Sequence, residues 1–317
     1  MTCFDVFNGD ADGLCALQQL RLAHPLETVL VTGVKRDIGL LARVKAVSGD
    51  QITVLDLALD KNLPALARIL AAGARVRYFD HHFPGEIPDH PGLEAHIETA
   101  PDRGTSLLVD DYLGGIHRGW AVVGTFGDNF DESARHAAQP LGLTEAQLNA
   151  LRDLGIYLNY NAYGTEVTDL HIPPDALFRR LQPYADPLEF IDRDAAFRSL
   201  RDGFADDMAK ARAVKPVIDR PGHRLHILPA TPWARRAGGV LANELARAAP
   251  DQAHALLTHL PAGGFVVSVR APLKRRQGAD ELCRLFPTGG GRPAAAGINH
   301  LPEAAYEVFV AAFLAAF

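Results

Sequence analysis

An acid and two imidazoles, Asp80-His81-His82, stand between the apolar pair Tyr78-Phe79 and a turn, Phe83-Pro84-Gly85. A carboxylate and adjacent imidazoles at a strand end can hold a divalent ion and still reach a substrate. Alone the triplet says little, because His-His pairs also occur on ordinary loops. Three other acidic sites lie in the same half of the chain. They are Asn8-Gly9-Asp10-Ala11-Asp12-Gly13, Asp56 after Ile52–Leu55, and Asp128 after Val122–Gly127. Two of them have a plainer reading on their own: Asp10 and Asp12 as helix-capping acids in a turn, Asp56 as the cap of the next element. Taken together at strand ends of one sheet, four carboxylates and an imidazole suit a pair of divalent ions, with Mn²⁺ favoured by the nitrogen ligand and Mg²⁺ the alternative. Such ions, about 4 Å apart, generate a hydroxide nucleophile and stabilise in-line attack on phosphorus.

A second group lies near the other end, in Thr288-Gly289-Gly290-Gly291-Arg292-Pro293-Ala294-Ala295-Ala296-Gly297. Three successive glycines let backbone N–H groups converge on an anion, and Arg292 adds a guanidinium. The competing reading is a flexible turn before a helix. Arg270 is a second cation that can face the same ligand, or a surface arginine. Lys274-Arg275-Arg276 reads as a solvated loop. Leu158–Gly164, with Asn159, Asn161, Tyr160 and Tyr163, reads as a polar helix terminus or a nucleobase contact. Thr105 and Ser106 suit a helix cap or a phosphate at a helix N-terminus. His90, His96, His171 and His223 read as loop or surface histidines.

The elements that must position these groups alternate through the first hundred residues. Strands are expected over 4–7, 28–31, 52–55 and 76–79, and helices over 14–22, 38–47 and 63–72. This rhythm implies a parallel sheet with helices on both faces, and in such sheets ligands bind beyond the carboxyl ends of the strands. From residue 104 the pattern is mainly helical, with helices from Thr105, from Thr144 and over 175–181, 187–200 and 205–214. Lys215–His223, rich in Pro, Gly and polar residues, reads as a linker. Beyond it the α/β rhythm resets, with strands over 225–228, 255–258 and 265–269 and helices over 238–248, 279–285 and 303–317. The expected organisation is a metal-binding domain over 1–214 including a helical connector, a linker over 215–223, and a smaller α/β domain over 224–317.

The 317 residues carry a net charge of -6, which argues against coating of a nucleic-acid duplex but leaves room for a small anion held by local cations. Cys3, Cys15 and Cys283 are scattered and odd in number, which suggests a reducing compartment and no zinc site. No basic leader and no run long enough to span a bilayer is read, so the expected location is cytoplasmic, with no membrane partner.

In their order and content these segments resemble the DHH phosphoesterase superfamily. That group includes RecJ-type exonucleases, nanoRNases, phosphoadenosine-phosphate and cyclic-dinucleotide phosphodiesterases, and metal-dependent inorganic pyrophosphatases. Asn8–Gly13, Leu55-Asp56, Asp80-His81-His82 and Gly127-Asp128 carry the likeness, and Gly289–Gly297 resembles the signature of the DHH-associated C-terminal domain. The resemblance implies a two-metal hydrolase acting on a small phosphate ester or phosphodiester, such as a short single-stranded oligonucleotide, a nucleoside bisphosphate or a cyclic dinucleotide. It implies that Asp10 and Asp56, with Asn8 beside them, hold one ion, and that Asp12, Asp56, His81 and Asp128 hold the other. Asp80 is expected behind the ligands, orienting an imidazole. His82 is expected at the scissile phosphate, and Arg270 with Gly289, Gly290, Gly291 and Arg292 on the substrate. Two positions depart from the family pattern: Asn8 stands where His is usual, and Arg292 stands where the glycine run usually ends in His. They leave open a different substrate, a weaker first ion site, or a nucleotide-binding protein that does not cleave. A haloacid-dehalogenase-type phosphatase, with Asp10 as nucleophile and Asp12 as acid, is a further alternative. It leaves Leu14 where a hydroxyl is expected and gives Asp80-His81-His82 no task. Oligomeric state is not legible.

Overall fold

Strand β1 (Cys3–Asn8) is buried along its last four residues, as a strand covered on both faces must be. Side chains alternate across it: Val6 joins one apolar core and Phe7 another. The computed structural model describes residues Met1–Phe317. Strands β2 (Val29–Gly33), β3 (Gln51–Leu55), β4 (Arg75–Asp80) and β5 (Leu93–Ile97) complete a five-stranded parallel sheet in the order β2-β1-β3-β4-β5. Register repeats the alternation. Phe7, Leu55 and Phe79 line up on one face, and Val6, Val54 and Tyr78 on the other. β2 and β3 flank β1, so strand order reverses there, which is where open α/β sheets present a binding crevice.

Helix α1 (Ala11–Ala23) follows β1, and α2 (Leu59–Ala71) follows β3 on the opposite face. The helix expected over 38–47 is only a 3-10 turn, Leu40–Arg43. Leu40, Leu41 and Val44 already bury themselves against the sheet from that single turn, and Gly39 offers no side-chain cap to start a longer one. Strand β5 was not expected, because Leu93–Ile97 is only half buried and carries Glu94 and His96.

The helical region holds α3 (Thr105–Tyr112), α4 (Arg118–Gly127), α5 (Asp131–Ala138), α6 (Glu145–Asn161), α7 (Pro174–Leu181), α8 (Pro187–Arg193) and α9 (Ala195–Ala213). Thr144 and Gln147 form a capping box at the start of α6. The segment delivering Asp128 is helix α4, not a strand end. Its apolar run is buried all round, a pattern in which helix and strand look alike. Gly124 and Gly127 let α4 approach its neighbours: a Cβ would lie 2.3 Å from Ser106 Oγ at the first and 2.3 Å from Ala11 Cβ at the second. The helix expected over 187–200 breaks at Asp194, whose carboxylate accepts from the Ala196 N–H at 2.7 Å and restarts the chain as α9.

The chain divides into two compact units, Met1–Asp202 and Gly203–Phe317. The second contains β6 (Ile218–Arg220), β7 (His223–Leu228), α10 (Pro232–Ala248), β8 (Ala253–His259), β9 (Phe265–Arg270), α11 (Ala279–Arg284), β10 (Gly289–Arg292), β11 (Ala295–Leu301) and α12 (Tyr306–Ala316). Its six-stranded mixed sheet runs β10-β11-β9-β8-β7-β6, with only β7 and β8 parallel. The division falls inside α9, ahead of residue 214, because Met208 and Ala211 bury against Leu228, Ala237 and Leu241. Residues 215–223, read as a linker, contain the edge strand β6. No helix is long and apolar enough to cross a membrane.

Candidate active site

The carboxyl ends of β1, β3 and β4 deliver Asn8, Asp56 and Asp80 to one end of the sheet. Asp10 caps α1, accepting from the Gly13 N–H at 3.1 Å, and Asp12 follows in the first turn of that helix. Gly13 is forced, since a Cβ there would sit 2.2 Å from the Asn8 carbonyl oxygen. Asp128 arrives at the C-terminal cap of α4. Asn8, Asp10, Asp12, Asp56 and Asp80 are all buried. Asp56 and Asn129 have left-handed backbones, with φ of 58° and 64°, a conformation that costs a non-glycine residue about 1 kcal/mol or more.

Asp12 serves a second helix. Its Oδ2 accepts from the Thr105 N–H at 2.6 Å, and its Oδ1 from the Ser106 N–H at 2.8 Å and from the Ser106 hydroxyl. The α3 N-terminus is therefore closed by a carboxylate across 93 residues of chain, and those N–H groups are not open to a phosphate. Gly104 is the N-cap of α3, in place of Thr105, and a Cβ there would lie 2.8 Å from Asp12 Oδ2. The Thr105 hydroxyl donates to Asp56 Oδ1 at 3.0 Å.

His81 Nε2 is buried and has no hydrogen-bond partner. It faces Asp56 Oδ1 at 3.4 Å and Asp128 Oδ2 at 3.7 Å. Donor atoms of Asp12, His81 and Asp128 lie within 4.8 Å of one another, as do those of Asp56, His81 and His82. A partnerless imidazole nitrogen among carboxylate oxygens is a donor set that suits Mn²⁺ or Mg²⁺. Asp80 is fully buried, with Oδ1 2.7 Å from His82 Nδ1. The His82 side chain is 41% exposed, the most open of the triplet. Burial pulls the His82 imidazole down, but the hydrogen bond and charge of Asp80 outweigh it and leave its pKa raised.

The acids bear their mutual proximity unequally. Burial, then the charge of Asp128, pushes Asp12 up to about 6. Burial and the charges of Asp10, Asp12 and Asp128 push Asp56 well above the usual carboxylate range. Asp10 goes the other way: burial would raise it, but the charge and hydrogen bond of Lys35 hold it below.

Lys35 was not among the residues singled out from the sequence. It follows β2, and its ammonium bonds Asp10 Oδ2, Asp128 Oδ1 at 2.8 Å and Asn159 Oδ1 at 3.0 Å. Asn8 spends its amide on the same loop, donating to the Lys35 carbonyl at 3.2 Å and accepting from the Asp10 N–H at 3.3 Å. The Asn159 amide donates to the Tyr163 hydroxyl at 3.0 Å, and Lys35 Nζ lies 5.9 Å from the Tyr163 ring centroid. These two members of the polar terminus of α6 thus serve Lys35. The signal that could have found it is position: Gly33-Val34-Lys35 lies at the carboxyl end of a strand in the same sheet.

In the second unit Arg270 ends β9, its Nε donating to Asn243 Oδ1 at 2.8 Å. Gly289–Arg292 is a strand of a β-hairpin, where a glycine loop was expected. Two of its glycines have packing reasons. A Cβ would fall 1.7 Å from the Cys283 carbonyl oxygen at Gly289 and 2.5 Å from Ala296 Cα at Gly291, while Gly290 faces open space. Arg292 is exposed at the hairpin end.

The fold matches known structures along nearly its whole length. A manganese-bound exonuclease RecJ superposes with a TM-score of 0.66 at 18% identity, covering 99% of this chain and 89% of the other. RecJ from Thermus thermophilus, in complex with Mn²⁺, gives 0.58 at 18% identity, and this chain spans 51% of it. PggH, a pGpG-specific phosphodiesterase from Vibrio cholerae, gives 0.56 at 14% identity, with 99% and 98% covered. No protein-family model and no curated protein matches the sequence. The chain shares the fold of these structures: a parallel five-stranded sheet wrapped by helices, and a second unit built on a mixed sheet.

Proposed function

We propose that this protein is a metal-dependent phosphoesterase that hydrolyses a small phosphate ester or phosphodiester, with a short oligonucleotide or nucleotide as the substrate class. The observation that carries this reading is the buried, partnerless His81 Nε2 facing Asp56 and Asp128 beside the half-open, Asp80-bound His82. Asp12, Asp56, His81 and Asp128 would hold a divalent ion, which when bound neutralises phosphate charge and lowers the pKa of water. Asp80 fixes the His82 ring through Nδ1, which leaves Nε2 to meet the substrate. The raised pKa favours the protonated ring, the form that can pass a proton to the leaving oxygen. Arg270, Gly289, Gly290, Gly291 and Arg292 are proposed as substrate contacts, with the exposed Arg292 the strongest of them as an anion partner. A cytoplasmic location belongs to the same proposal.

The test is a product-release screen with Mn²⁺ over dinucleotides, short oligonucleotides, nucleoside bisphosphates and cyclic dinucleotides. Turnover is expected in at least one class, lost in Asp56→Ala by a factor of about 1,000 or more. Robust metal-free turnover, or full activity in that variant, would sink the proposal. A second reading, nucleotide binding without cleavage, draws on Asn8 and Lys35. It predicts tight binding with no turnover under any divalent metal, and turnover by the wild-type protein eliminates it.

A further inference from the structure

The DHH-type reading calls for two ions, and the two halves of the acidic centre suit that demand unequally. On one side His81 Nε2 lacks a partner among Asp12, Asp56 and Asp128. On the other, Asp10 does not face open space, because its outer oxygen already bonds an ammonium.

We infer that Lys35 is a built-in cation standing in for one of the two ions, so that the centre binds a single divalent ion. This rests on the metal-dependent reading above.

Three features of the chain carry it. First, an ammonium has three donors and no acceptor, and Lys35 Nζ has three acceptors around it: Asp10 Oδ2, Asp128 Oδ1 and Asn159 Oδ1. It is fully satisfied where it stands. Second, the loop bearing it is pinned from both sides. The Lys35 N–H donates to the Ala162 carbonyl at 3.0 Å, and the Lys35 carbonyl accepts from the Asn8 amide. Lys35 is thus a fixed member of the centre, reached through two backbone anchors. Third, the residue that holds the Lys35 carbonyl is Asn8, at the position where the resemblance expects an imidazole for the first ion. An amide can donate to that carbonyl while accepting from the Asp10 N–H, as it does here. A neutral imidazole ligating through one nitrogen keeps only one N–H to donate. Asn8 and Lys35 therefore act as a pair: one replaces the ligand and the other replaces the charge. A second divalent ion at Asp10 would have either to displace the ammonium from that carboxylate or to stand beside it, where like charges repel.

The count of bound ions tests this. The full chain is stripped with a chelator, desalted, equilibrated with excess Mn²⁺ and passed through gel filtration. Bound manganese is then measured by elemental analysis and its electron paramagnetic resonance line shape recorded. One Mn²⁺ per chain with the six-line signal of an isolated ion is expected. The double variant Asn8→His, Lys35→Ala, its fold checked by circular dichroism, is expected to rise to two ions with an exchange-broadened signal. Two ions in the wild-type protein would overturn the inference and leave the phosphoesterase reading standing. A folded double variant that still takes one ion would also overturn it. No bound ion in either protein would remove the metal-dependent reading itself, a result distinct from a count of two.

Discussion

Asp80 bonds His82 at 2.7 Å, and that bond and its charge raise the His82 pKa against the effect of burial. Asp80→Asn keeps a side chain of the same shape but removes the negative charge, so the His82 pKa should fall. The sign follows: if protonated His82 serves the leaving group, activity is lost as pH rises through its pKa. The alkaline limb of the kcat/KM profile should then move to lower pH, with kcat down about 10- to 100-fold. A pH–rate profile unchanged by the substitution would remove His82 from that role. At this scale the sequence was most legible where chemistry is local. Asp80, His81 and His82 are neighbours, and Asp10 and Asp12 share a turn. Lys35 was not legible, because a lysine after a strand has no pattern of its own. Only the fold carries its ammonium to Asp128 and Asn159, 93 and 124 residues away.

Among the elements, the hairpin β10–β11 gives a contrast that the glycine run alone does not. Gly289→Ala places a Cβ 1.7 Å from a backbone oxygen on α11 and should destabilise by about 1–3 kcal/mol, whereas Gly290→Ala meets nothing and should stay within about 0.5 kcal/mol. Urea unfolding of the two variants checks this; equal losses would show that packing is not what distinguishes the glycines. A similar experiment probes the helix ends, since Gly104→Ala would push on both oxygens of Asp12, at 2.8 and 3.0 Å. It should weaken metal retention as well as stability. The β-α alternation of the first hundred residues was legible because short apolar runs and turn residues repeat there. Three elements were not. The run 120–127 is buried on every side and has no period to read, residues 38–47 bury their leucines in one turn, and β5 is a half-exposed edge.

For the molecule as a whole, the acidic centre should make stability depend on pH and metal together. Without metal, Asp12 titrates at about 6 in the folded chain and at about 3.9 when unfolded. Between those values the folded state binds more protons than the unfolded one. Stability is therefore greatest below about pH 4 as far as Asp12 is concerned. It falls by on the order of 3 kcal/mol as pH rises to about 6, and is level above that. Thermal melts in chelator across about pH 4–8 should show this decline. Saturating Mn²⁺ at about pH 7 should reverse much of it, since an ion at about 100 times its Kd adds about 2.7 kcal/mol. A melt indifferent to both would count against a buried acidic centre. The two-part α/β plan was legible because the alternating rhythm stops and restarts. The division at Asp202/Gly203 was not, because it falls within a continuous helix, α9, which has no break to read.

Asp56 combines a left-handed backbone, a buried carboxylate and a ring of acidic neighbours. Every one of those burdens eases if glycine or asparagine stands there. A library of variants selected for heat resistance alone should therefore accumulate Asp56→Gly and Asp56→Asn, discarding the side chain on which the proposed reaction most depends. The position would register in such an experiment as a defect, and only a selection that also demands turnover would keep it.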